Sequence, residues 1–263
     1  MRKIKKYIFI AKISFQENLA YTLNFFVDTF FFVFIIFVFL KLWETIYQGQ
    51  EQIAGYTLNQ LIWYCIMTEM IAHTIGNVFG RLSNDIKGGG IAYIINKPYN
   101  YVLYQLSNSA GQMSIKLCMN AVIGLLIGML YIGPLQGFNL RYLPFMILSI
   151  ITGILLNFFL YACIGLTAFW AEENTAYFWI VQKLVFMLGM FIPVEFLPEW
   201  LQKVVLFLPF PYVNYGPAKL VVDFSLERFT DIFSVQVTYL VALAGLSFFI
   251  FGRGVKKLNV NGG

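Results

Sequence analysis

Four ionisable residues lie inside long apolar runs of this chain: Asp28, Glu69, Lys116 and Lys183. A charge in hydrocarbon is costly unless it is paired or meets water, so each marks a packing device or a polar path. Glu69 falls about 11 residues from one end of its run and Lys116 about 12 into the next, roughly 16 and 18 Å deep at 1.5 Å per residue. Similar depth in consecutive runs predicts a Glu69–Lys116 pair. Asp28 and Lys183 are shallower, and both are expected to snorkel toward one aqueous face. Cys65, Glu69, His73 and Asn77 recur every four residues, a polar stripe that should face protein. Two readings stay open: groups that only fix helix register, or a translocation path through Asp28, Glu69, His73, Lys116 and Lys183.

Signals for enzymatic chemistry are missing. A single histidine excludes an HExxH zinc site, and there is no GxSxG elbow. There is also no GxxxxGK[ST] loop, hence no backbone-amide cradle for the phosphates of ATP. No cofactor is expected, and nucleotide energy would have to come from a separate subunit. Cys65, Cys118 and Cys163 have no paired spacing, so neither a disulfide framework nor a metal site is expected.

The elements that position these residues follow from composition. The 263-residue chain is 59% hydrophobic and 12% charged, against roughly 25% charged in a soluble domain. Several uncharged runs approach the ~20 residues that cross a bilayer. Six spans are predicted near 22–43, 57–80, 104–131, 143–169, 175–193 and 233–252, in a single membrane domain covering 1–263. Residues 1–20 are too polar to span. There Ile4, Tyr7, Ile8, Ala11 and Phe15 share one face, with Arg2, Lys5, Lys6 and Lys12 mostly off it: a basic amphipathic helix lying on the anionic cytoplasmic leaflet. No removable signal peptide is expected.

Basic residues set the orientation. Residues 1–20, the 81–103 loop and the tail hold 11 of the 18 lysines and arginines, which makes their side cytoplasmic and both termini cytoplasmic. The net charge of +5 is therefore a topology signal, not a nucleic-acid one. Gly76–Gly80 and Gly124–Gly128 match GxxxG and permit close helix approach.

Two segments interrupt the spans. In the 81–103 loop, Gly88, Gly89 and Gly90 break any helix, and Ile91, Ala92, Ile94 and Ile95 then form a short apolar piece before Lys97-Pro98. Such a piece exposed to cytosol is best explained by docking onto a soluble subunit. Phe191–Pro217 holds five of the chain's eight prolines. One helix is predicted to end near Pro193 and another to start at Pro198. In that second helix Trp200, Leu201, Val204, Val205 and Leu208 share a face opposite Glu199, Gln202 and Lys203, so it would lie in or re-enter the interface.

These segments carry a family likeness. IKGGGIAYIINKPYNY resembles the coupling segment of permease subunits of ABC type 2 transporters. GMFIPVEFLPEWLQKVVLFLPFPYVNYGP is similar to the pattern those permeases carry between spans five and six, and the tail ending in Gly262-Gly263 fits small bacterial members. The resemblance covers essentially the whole chain. It implies an all-α membrane protein: six transmembrane helices, an N-terminal elbow helix at Lys3–Asn18, and short external re-entrant helices at 194–217. It further implies that two permeases, more plausibly a heterodimer, join two ATPase subunits in the bacterial plasma membrane. Asp85, Lys87, Gly88, Ile91, Ile94, Ile95, Lys97 and Pro98 would meet the ATPase, which binds the ATP. Pro193, Glu195, Pro198, Glu199 and Trp200 would form an external gate. The implied activity is export of an amphiphilic or lipid-like compound, peptide or drug. A membrane-embedded substrate-binding component for vitamin uptake is the runner-up. It would be shorter and lack both the elbow and the proline-rich helices.

Overall fold

The computed structural model describes residues 2–20 and 22–261, with no side-chain account for 1–3, 21–26 and 258–263. Gly262-Gly263, and the side chains of Arg2 and Lys3, lie outside that description. The chain is helical almost throughout. α1 (Arg2–Ala20) and α2 (Thr22–Ile46) lead to a two-stranded hairpin, β1 (Gln52–Ile53) and β2 (Tyr56–Thr57). Then come α3 (Leu58–Thr74), α4 (Val78–Lys87), α5 (Ile91–Ile95), α6 (Tyr101–Tyr131), α7 (Leu143–Leu166) and α8 (Thr175–Gly189). The short α9 (Glu199–Leu206), α10 (Pro211–Val222) and the long α11 (Leu226–Asn261) complete it.

Four stretches are long and apolar enough to cross a membrane: Val27–Ile46, Tyr101–Tyr131, Leu140–Phe169 and Leu226–Lys257. The other two predicted spans form shorter helices. α3 has 17 residues, about 25 Å at 1.5 Å per residue, and α8 has 15, about 22 Å. The predicted span 57–80 is interrupted. Ile75 turns extended, and Asn77 caps a new helix by accepting the Gly80 N–H at 2.9 Å. Asparagine's short acceptor competes with helix continuation in this way. Asn77 thus leaves the α3 stripe, and Gly76–Gly80 is not a continuous helical GxxxG. Gly124 and Gly128 are such a pair, and they seat α6 inside the chain. A Cβ on Gly124 would lie 2.9 Å from Ile66, and one on Gly128 would lie 2.5 Å from the Trp63 ring.

The proline-rich stretch differs most from expectation. α8 ends at Gly189 rather than near Pro193, and Pro193 and Pro198 both hold extended backbone, before a 3-10 turn at Val194–Phe196 and before α9 respectively. Only Val205 of α9 is buried, whereas Trp200, Val204 and Phe207 are exposed. The proline-rich stretch does not end its helical structure at Pro217. That proline lies inside α10, a helix buried along its whole length against α3, α7 and α8. Proline supplies no donor to the Val213 carbonyl four residues back, yet the helix continues because it is packed on every side. Gly153 of α7 allows the approach, since a Cβ there would lie 2.5 Å from that carbonyl.

α1 packs on α6. Ser14 Oγ donates to the Asn108 carbonyl at 2.6 Å, and the Asn100 N–H donates to the Tyr7 hydroxyl at 2.9 Å. A Cβ on Gly111 would be 2.5 Å from the Ala11 carbonyl. Tyr7 and Ala11, expected on the lipid-facing side, therefore turn toward α6. Ile4, Ile8, Phe15 and Leu19 form an exposed apolar stripe, and Phe9 and Ile13 are exposed beside it.

Candidate functional site

A cavity of about 530 Å³ opens among α2, α3, α6, α7, α8 and α10. Asp28, His73, Lys116 and Lys183, far apart in sequence, all line it. Lys116 Nζ pairs with Asp28 Oδ2, joining α6 to α2. The predicted Glu69–Lys116 pair does not form. Matching depth says nothing about azimuth, and Lys116 faces α2. Glu69 is fully buried behind His73, with Oε2 3.3 Å from Nδ1. The same Nδ1 makes its hydrogen bond to the Glu69 backbone carbonyl, at 3.1 Å.

Other lining groups were missed by the sequence reading: Asn157 on α7, Gln182 on α8 and Asn214 on α10. Asn157 Oδ1, Asn214 Oδ1 and Nδ2, and both Glu69 carboxylate oxygens have no hydrogen-bond partner among the described residues. Each such buried group carries a desolvation cost of about 1–3 kcal/mol. A signal was available, because Asn157 interrupts an otherwise apolar run, LLNFFL. Asn214 was hidden by the assumption that its segment was external.

The end of the bundle carrying the β-hairpin and α9 is built differently. Glu195 Oε2 accepts from the Tyr56 hydroxyl at 3.0 Å, and its Oε1 accepts from Tyr215 at 3.0 Å and pairs with Lys219 at 2.9 Å. Lys219 reaches Asp223 at 3.2 Å and lies 4.3 Å above the Tyr56 ring, while Arg228 holds Asp223 at 2.7 Å. Burial, with the Glu195 carboxylate beside it, pushes the Tyr56 hydroxyl well above the usual tyrosine range, so it remains a donor. Of the predicted gate residues, Glu195 is central. Pro193 and Pro198 flank it, and Glu199 and Trp200 sit on the exposed side of α9.

At the opposite end α4, a glycine turn and α5 form a compact surface. Gly89 takes a φ of 73°, a left-handed conformation that favours glycine. Asp85 is turned inward, accepting from the Tyr101 hydroxyl at 2.9 Å and Gln105 Nε2 at 2.7 Å. Lys6 of α1 bonds the Pro98 carbonyl, which ties the N-terminal helix to the loop. The predicted apolar docking piece is partly an anchor: Ile91 is buried and Ile94 and Ile95 are half-buried. Lys87, Gly88, Lys97, Pro98 and above all Tyr93, at 79% exposure, form the outward surface.

Four long apolar helices mark a multi-pass membrane protein. The profile of the ABC-2 family transporter proteins matches residues 30–262, and the chain belongs to that family. It is thus a membrane permease component of an ABC transporter, a class that implies an ATPase partner. No curated protein matches the sequence.

Proposed function

We propose that the chain is the permease subunit of an ATP-driven exporter, contributing half of a translocation pathway whose polar section is the 530 Å³ cavity. The convergence of Asp28, His73, Lys116 and Lys183 on that cavity from four helices supports this reading. Although Asp28 and Lys116 pair, both still border the open cavity together with His73 and Lys183. The cavity suits an amphiphilic or lipid-like compound, peptide or drug. α3 and α8 act as shortened spans, giving six in all, with both termini and α5 on the cytoplasmic side of a bacterial plasma membrane.

ATP would be bound and hydrolysed by a separate subunit docked on Tyr93, Lys97 and Pro98, with Asp85 and Ile91 holding that surface to α6 and the bundle. A second permease, in a heterodimer, would complete the pathway. The Glu195 network would close its outer end. Purification of the tagged chain from its native membranes is expected to recover an ATP-binding-cassette ATPase and a second permease. Tyr93→Asp is expected to abolish ATPase capture without lowering the amount of folded chain. Isolation of the chain with a tightly held vitamin and no such partners would sink the exporter reading.

A further inference from the structure

Within the cavity the charged groups are accounted for unevenly. Asp28 and Lys116 neutralise each other, and Glu69 stands within ion-pair distance of His73. Lys183, on the rim, makes no ion pair among the described residues, and its Nζ lies 6.0 Å from the Trp179 ring centroid. Deeper in the wall stand carboxamides. Asn214 is 0% exposed and Asn157 2%, and both border the cavity. Asn214 offers an unused donor and an unused acceptor, and Asn157 an unused acceptor. Ile35, Phe186 and Met190 supply apolar wall beside them.

Carboxamides pair best with a group that presents both an N–H and a C=O, since each then satisfies the other's donor and acceptor. A site whose buried polar groups await such partners rejects an analogue that lacks them. We propose that Asn157 and Asn214 form a recognition subsite for an amide group, and that the transported molecule is an amide-bearing amphiphile. This rests on the reading of the cavity as the translocation pathway. The amide seats against α7 and α10 while the apolar portion lies against Ile35, Phe186 and Met190. Because α10 is buried throughout and also carries Lys219 of the outer network, a guest on Asn214 touches the helix that reaches the closed end.

The test uses the intact complex in lipid nanodiscs and three probes: N-octanoyl-leucine amide, its ester analogue lacking the N–H groups, and octyltrimethylammonium. Tryptophan fluorescence and ATPase stimulation report binding. The amide is expected to bind, and the ester and the ammonium at least about tenfold more weakly. Asn214→Leu and Asn157→Leu, near-isosteric changes, should each erase that preference. Equal binding of all three probes, or an amide preference surviving in both variants, overturns the subsite. The pathway reading is judged separately by Ala72→Phe, which fills the cavity from α3. If the filled variant still binds the amide with its preference intact, recognition lies elsewhere and the subsite also falls. If it loses amide binding yet still transports, the cavity is not the path, although the subsite stands.

Discussion

The two polar regions of this protein are built to opposite rules. Around Glu195 every carboxylate oxygen, hydroxyl and ammonium group has a partner, and four segments of chain are tied at one point. Around the central cavity an ion pair stands beside the carboxamides of Asn157 and Asn214, which have polar atoms without a hydrogen-bond partner among the described residues. A satisfied network resists rearrangement because each broken contact strands another group. An unsatisfied one gains when something enters. The Glu195 region is therefore suited to staying closed and the cavity to taking a guest, though both consist of a handful of polar residues among aromatics.

Substitutions can break this contrast. The largest effect is expected at Glu195→Ala, which strands the Tyr56 and Tyr215 hydroxyls and leaves Lys219 with Asp223 alone. The detergent-solubilised chain should lose about 2–3 kcal/mol, read as a melting temperature several degrees lower, with Glu195→Gln losing less. An unchanged melting temperature would mean that the network is ornamental. Next comes the pair on the cavity. Lys116→Met alone should cost about 1–2 kcal/mol, discounted because Asp28 is half-exposed, and Asp28→Asn with Lys116→Met should recover most of it. If the double variant is no better than the single, the two residues do not act as a pair.

In contrast to both, Asn214→Leu should leave stability unchanged or slightly raised, because it removes two unpartnered polar atoms. A clear loss of stability would show that Asn214 is bonded after all, and the difference between the regions would shrink. The smallest effect lies outside both. The carboxylate of Glu173, which accepts the Thr175 N–H at 2.7 Å, is held below its ordinary 4.5 mainly by the Thr175 hydroxyl and N–H. Its contribution is present above the unfolded value and lost as pH falls through the lower folded one. The melting-temperature gap between wild type and Glu173→Gln should therefore be slight near neutrality and vanish in acid. A gap that widened in acid would reverse the assigned sign.

Much of this organisation was legible without coordinates. Membrane character follows from long apolar runs, because uncharged helices of that length have nowhere else to go. Likewise, a charge within such a run is expensive wherever the helix packs, so Asp28, Glu69, Lys116 and Lys183 could be singled out one at a time. The glycine break before α5 was equally readable, since three successive glycines end a helix in any context.

Only the tertiary structure decided who meets whom. Glu69 and Lys116 match in depth, but helix rotation sent Lys116 to Asp28 and Glu69 behind His73. Asn77 ended α3 by capping a new helix, a choice between two local hydrogen-bonding options that packing settles. Pro217 looked like a terminus, and burial made it the middle of α10. Residue type and local pattern set the cost of each group. Azimuth, the packing of distant segments and the partners left over are properties of the assembled chain, because each depends on what every other helix has already occupied.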